Sequence, residues 1–205
     1  MNAGDGTAED EFGVAVALSH DTAVVGAYRD NGATGSAYVF VRNGDEWILQ
    51  DKLSAGDATT GDYFGFSVSI EDDVVMVGAY GDDTPAGVDA GSVSVFLRNA
   101  GHWQQQAKLV AADAAAGDYF GASVALSGGS ALMGAVLDDG PGGNQSGSAY
   151  VFVGSGGNWN QQAKLTAHDA TTEDRFGYTL ALEGDTALVG AYADDTARGA
   201  DAGSA

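Results

Sequence analysis

Carboxylates recur along this chain at fixed spacing. Asp57 and Asp62, Asp113 and Asp118, and Asp169 and Asp174 are pairs five residues apart in loops rich in Gly, Ala and Thr. Three readings of them compete. They act as Asx caps of turn backbone on a surface hydrated by excess charge, as in a salt-adapted protein; or their hard oxygens help hold Ca2+ within or between structural units; or they steer a basic protein partner. A second set is aromatic and cationic. Tyr63, Tyr119 and Arg175 each precede a Phe-Gly pair, at the place Glu11 takes before the first such pair, and Tyr28, Tyr80 and Tyr192 each follow a Gly-Ala pair. Tyr and Arg dominate recognition surfaces, so these six are the candidate ligand contacts, with ordinary packing as the alternative. His20, His102 and His168 fall in unrelated turn and loop positions and suggest no nucleophilic triad or metal cluster. Among so many repeated acids none is marked as a proton donor for glycoside hydrolysis, and no glycine motif for phosphate binding opens a helix.

Composition narrows the classes further. The chain has 205 residues, 29 Asp plus Glu against 8 Lys plus Arg, and a net charge of −21. That balance excludes a nucleic-acid binder, which needs clustered cations to displace phosphate counterions. There is no Cys, which removes disulfides, thiolate metal sites and Cys nucleophiles. No apolar run approaches the roughly 18 residues of a membrane span, so no insertion is expected, and MNAGDGTAEDEF lacks the basic and apolar regions of a signal peptide.

The elements that must position these residues repeat. Phe12, Phe64, Phe120 and Phe176, each followed by Gly, are 52, 56 and 56 residues apart, and Trp47, Trp103, Trp159 and Lys52, Lys108, Lys164 keep the 56-residue step. Within the second copy, Phe64 to Ile70, Val74 to Tyr80, Ser92 to Leu97 and Trp103 to Leu109 read as short strands bounded by Gly, Asp or Asn. No stretch sustains a helical period. The fold class is therefore all-β: a β-propeller of four-stranded antiparallel blades, about 3.5 repeats, with blades at 3–54, 55–110, 111–166 and an incomplete 167–205. A sandwich of successive hairpins is the rival. Phe12, Phe64, Phe120 and Phe176, with Trp47, Trp103 and Trp159, are expected to be inter-blade core, and the Gly after each Phe to allow close backbone approach. Loops leading into the first strand and joining the second to the third would share one strongly anionic face.

With Phe64-Gly65 and Gly78-Ala79-Tyr80 recurring in phase, the sequence resembles the FG-GAP repeats of integrin α-subunit β-propellers and their bacterial relatives. The Pro of the family's Gly-Ala-Pro is Tyr28, Tyr80, Val136 and Tyr192 here, closer to the bacterial variants. The turns SHDT, EDDV, SGGS and EGDT are too short for the family's calcium cage, whose ligands therefore have no counterparts. The resemblance implies a non-enzymatic recognition or adhesion module of a secreted or cell-surface protein, binding protein or glycan through its acidic loop face. It also implies a segment of a longer propeller, with self-association through the unfinished blade as an alternative. A glycan-degrading propeller enzyme and a structural spacer are the rival functions.

Overall fold

The computed structural model describes residues 1–205. The first sheet contains β1 (Val16–Ser19), β2 (Thr22–Ala27), β3 (Ser36–Asn43) and β4 (Glu46–Leu53). The second contains β5 (Ser67–Glu71), β6 (Val74–Ala79), β7 (Ser92–Asn99) and β8 (His102–Leu109), and the third β9 (Phe120–Ser127), β10 (Ser130–Ala135), β11 (Ser148–Ser155) and β12 (Asn158–Leu165). The fourth holds two strands, β13 (Phe176–Glu183) and β14 (Thr186–Ala191). Within each sheet the strands pair antiparallel in chain order, as expected of propeller blades. A four-residue helical turn, α1 (Asp30–Ala33), was not foreseen; it closes the shortened loop between β2 and β3, with Asn31 and Gly32 at φ 54° and 69°.

The second strand of each complete blade is almost wholly buried and reads as an unbroken apolar run: β6 and β10 lie between neighbouring blades, and β2 lies between the second blade and Ala3, Phe12 and Trp47 of its own repeat. Val24, Val39 and Leu53 of the first blade pack on Phe64, Val68, Ile70, Val77 and Phe96 of the second. Met76, Val93 and Val95 meet Phe120, Met133 and Phe152 in the same way one blade later. Trp103 is buried between the first two blades, where its Nε1 donates to Gln50 Oε1 at 2.9 Å; Trp47 and Trp159 are half-buried.

The Phe-Gly pair does more than begin a strand. In the second blade the strand starts only at Ser67, and Phe64 instead forms a parallel bridge to Gly35 of the blade before it. Phe120 bridges to Gly91 and Phe176 to Gly147 in the same way. The amides of Phe64, Phe120 and Phe176 donate to Thr34, Ala90 and Ser146 of the preceding blade at 3.1, 3.0 and 2.9 Å. The backbones then come so close that a Cβ on Gly78 would lie 2.0 Å from the Gly121 carbonyl oxygen, which is why that position repeats as glycine. Ser67 and Ser123 hydroxyls lock the approach by donating to the carbonyls of Gly121 and Gly177 at 2.7 and 2.6 Å. Ala15 stands at the equivalent place in the first blade and makes no such bond.

Two substitutions test this clasp by urea unfolding. Gly78→Ala forces backbone apart and is expected to cost about 3 kcal/mol. Ala15→Ser supplies the missing donor for Gly65 and is expected to add about 1 kcal/mol.

Candidate functional site

The loops leading into each blade and the loops joining its second and third strands meet on one face, as the repeat pattern required, and the three equivalent lysines tie them together. Lys52 Nζ lies 2.6 Å from Asp5 and 2.7 Å from Asp30; Lys108 lies 2.7 Å from Asp57 and 2.5 Å from Asp82; Lys164 lies 2.7 Å from Asp113 and 2.8 Å from Asp138. In each triad one carboxylate is exposed and the other buried; Asp30, Asp82 and Asp138 are 5, 4 and 5% exposed. The hydrogen bond from Lys108 holds Asp57 below its ordinary value. Burial works to raise Asp30, but hydrogen bonds from Lys52 and Ser36 outweigh it and hold that carboxyl low as well. Burial likewise opposes charge on all three lysines, and the paired aspartates overcome it and push them up. The fourth blade has Asp169 and Asp194 at these places; Asp169 lies 3.3 Å from His168 Nδ1, and Asp194 is buried.

The second member of each aspartate pair does a different job. Asp62 accepts from the Thr59 amide and hydroxyl at 2.7 and 2.8 Å, Asp174 from those of Thr171 at 2.5 and 2.8 Å, and Asp118 from the Ala115 amide at 2.7 Å. Asp118 has no hydroxyl partner, and burial raises its pKa. Asp83, Asp139 and Asp195 close the adjoining loops by accepting the amides of Asp89, Gln145 and Asp201, each at 2.9 Å. The pairs Asp57/Asp62 and Asp113/Asp118 are thus split between a lysine and a turn, and Asp169/Asp174 between an exposed rim and a turn. No three His, Asp or Glu side chains gather closely enough to hold a metal ion. Calcium needs many oxygens free to converge, and these are already engaged, so the residues present do not fit it.

The six aromatic and cationic candidates lie along the mouth of the arc. Ring centroids of Tyr28 and Tyr63 are 5.7 Å apart, Tyr63 and Tyr80 stack at 4.9 Å and 12°, and Tyr80 and Tyr119 are 5.1 Å apart. Phe66 packs edge-on against Tyr28 and Tyr80 at 5.4 and 4.6 Å. Farther along, Tyr178 meets Tyr192 at 4.4 Å, and the Arg175 guanidinium lies 5.6 Å from the Tyr192 ring centroid and donates to its hydroxyl. Burial pushes Tyr80 up to about 12, so the phenol stays neutral. Tyr63, Tyr119 and Arg175 sit at φ 57°, 58° and 59°, left-handed backbone that costs a bulky residue on the order of 1 kcal/mol.

Between the two aromatic groups lies a cavity of about 600 Å3, lined by residues of all four repeats, among them Val14, Tyr80, Tyr119, Ala122, Val136 and Tyr178, with Arg175 and Gln145 as its polar groups. Its origin is a lapse in the repeat. Val14, Phe66, Ala122 and Tyr178 are equivalent positions, as are Tyr28, Tyr80, Val136 and Tyr192, and the third copy has the small residue at both. Phe66, Ala122, Gln145 and Tyr178 were not among the sequence candidates. The signal was present for the first, second and fourth, since the residue two beyond each Phe differs in every copy. A larger cleft, about 720 Å3, lies over the Lys52 triad, but its principal charges are already paired with one another.

The FG-GAP repeat model matches residues 1–40, 47–96, 103–152 and 159–205. The chain belongs to the FG-GAP repeat family. No curated protein matches this FG-GAP chain. Among solved structures it is similar to the crystal structure of Saccharomyces cerevisiae Sqt1, at TM-score 0.50 and 10% identity, over 81% of this chain and 38% of that one. At such identity the likeness concerns the fold. No helix of the FG-GAP chain is long and apolar enough to cross a membrane.

Two expectations follow from the charged face. Lys108→Met leaves buried Asp82 without its counter-charge and is expected to cost about 3 kcal/mol at neutral pH in urea unfolding. Because Lys108 holds Asp57 low, the stability from that pairing is present above the ordinary value of 3.8 and is lost as pH falls through the folded value, so the gap between variant and parent narrows in acid. The melting temperature is expected to be the same in EDTA and in millimolar Ca2+; a rise of several degrees with calcium alone would contradict this account of the aspartates.

Proposed function

We propose that this chain is a non-enzymatic recognition or adhesion module, part of a secreted or cell-surface protein, that holds a protein segment or a glycan on its tyrosine-lined mouth. The observation that carries this reading is the cavity beside Ala122 and Val136, small residues of the third copy where the second has Phe66 and Tyr80. A preformed apolar hollow with a few convergent polar groups is the usual form of a ligand site. Rigid tyrosines present large contact area at small entropic cost, and Arg175 and Gln145 supply direction. The left-handed backbone under Tyr63, Tyr119 and Arg175 adds weight, since strain persists where surrounding structure over-determines it and clusters at functional sites. The surrounding aspartates, although paired or capping, leave a net charge of −21, which favours a basic polypeptide over an acidic glycan. The alternatives are a glycan-degrading enzyme and a structural spacer. Against the enzyme stands the engagement of most of the recurrent loop aspartates in lysine pairs and turn caps.

The test uses a peptide-display library and a glycan array as probes. Ligands selected by the parent are expected to lose at least tenfold in affinity on Tyr119→Ala and on Ala122→Phe, the second of which fills the hollow while restoring the side chain found in the second repeat. Both variants should melt within a few degrees of the parent. Selected ligands that bind both variants unchanged would sink the proposal, as would turnover of any arrayed glycan.

A further inference from the structure

The hollow at the mouth departs from its equivalents in charge as well as in size. The amides of Tyr63, Tyr119 and Arg175 donate to the carbonyls of Ala33, Asp89 and Gln145 at 3.1, 3.3 and 3.3 Å, so those three acceptors are one repeat position. The fourth copy has Asp201 there, at φ 50° against 53° for Asp89 and Gln145. The second and fourth copies thus hold an acid where the third holds a neutral amide. The residue before Phe-Gly changes in the opposite sense, from Glu11, Tyr63 and Tyr119 to Arg175. Both changes fall together, because Gln145 and Arg175 are joined through their main chains and both line the hollow. On a face crowded with aspartates, this one spot is cationic.

The cation is also uncommitted. Lys52, Lys108, Lys164, Arg29, Arg42 and Arg98 all lie against carboxylates, and Arg198 stands exposed on the loop after β14. Arg175 is half-buried and lies against no carboxylate. Its Nη1 donates to the Tyr192 hydroxyl and its Nε is buried without a partner; Nη2 and the Gln145 side-chain amide make no hydrogen bond within the chain. Burying part of a guanidinium without an acceptor is costly, and a chain with 29 acids to 8 bases could readily have supplied one. The blades that flank it are both present: the equivalent Tyr63 touches Tyr28 of the blade before and Tyr80 of its own, and Val136 and Tyr192 are their counterparts here.

We infer that the mouth takes the carboxyl-terminal residue of a basic polypeptide, with its apolar side chain in the hollow and its carboxylate on Arg175 and Gln145. This rests on the recognition reading above and names the ligand of that site. A guanidinium grips a carboxylate by charge-assisted hydrogen bonds, which are stronger than neutral ones. The apolar lining decides among sources of carboxylate. A terminal Phe or Leu carries its apolar side chain and its carboxylate on one Cα, whereas an internal Asp or Glu brings no apolar group, and a uronate would bury hydroxyls against Ala122, Val136 and Leu137, which offer them no partner. Lysines and arginines upstream of that terminus would lie over the aspartates of the surrounding loops.

The probes are acetyl-Lys-Lys-Ala-Z peptides, Z being Phe, Tyr, Leu, Ile, Val or Met, each made with a free carboxyl terminus and again as the terminal amide. Binding is read by nuclear magnetic resonance titration up to about 1 mM peptide. At least one acid is expected to bind about tenfold more tightly than its amide. Arg175→Met is expected to bring the two forms within about twofold of each other, and Gln145→Asp, which restores the acid of the second and fourth copies, to weaken the acid form about tenfold. The second variant leaves Arg175 and Tyr192 untouched, so it decides the matter if Arg175→Met melts early. Acid and amide forms that bind the parent alike, and are both lost on Ala122→Phe, overturn the inference and leave the recognition reading standing. A panel in which no acid binds, a preference for acid that survives both variants, or binding of glucuronate in place of the peptide acids overturns it equally. The library selection tests the broader reading separately, so the two fail independently.

Discussion

The close approach of two backbones sets the terms for the rest of this structure. Where Phe-Gly of one blade lies on the glycines of the blade before it, no side chain fits, and amide, carbonyl and serine hydroxyl meet directly. That contact fixes the spacing between sheets and places the Phe ring in the layer of Val, Leu and Met between them. It also turns the chain sharply just before each inner strand, which throws the preceding residue into left-handed backbone at the mouth. Core, curvature and candidate site all descend from it.

The charge has a quieter role than its magnitude suggests. A chain of net −21 invites the reading that acidity is itself the function. Most of the recurrent aspartates on the loop face are instead fasteners, either clamping a lysine from the last strand of a blade or satisfying turn amides. Buried carboxylates are costly unless paired and hydrogen-bonded, and Asp30 and Asp138 are both. Three lysines at one repeat position were visible in the sequence. That each is held between two loops was not, because the partners lie up to about half a repeat or a whole repeat away and spacing alone does not say which acid faces which amine.

What was legible followed from periodicity. Four in-phase copies of Phe-Gly and Gly-Ala, with turn residues at fixed offsets, were enough for sheet order, strand number and the sharing of a face by two sets of loops. Less legible was any detail where one repeat borrows from the next or departs from it: Phe64 belongs by hydrogen bonding to the blade before it, and α1 occurs in the one loop that is four residues shorter than its equivalents. Tyr63 and Tyr119, ahead of Phe-Gly pairs, and Tyr28 and Tyr80, behind Gly-Ala pairs, were candidates in the sequence, and the structure brings them into one band. The hollow beside them was missed because it depends on what Ala122 and Val136 lack, and a sequence advertises an added aromatic ring more readily than a subtracted one.

The residue ahead of each Phe-Gly pair has a further consequence. Its main-chain conformation is the same in all four copies, φ 54° to 59°, although the side chain is Glu, Tyr, Tyr or Arg. The frame dictates where that side chain projects and is indifferent to what it is. Mutation can therefore exchange the head group there without disturbing the blade beneath, so relatives with identical scaffolds are free to diverge in the side chain they present at the mouth. The array resembles a tool holder whose socket is standard and whose bits are not.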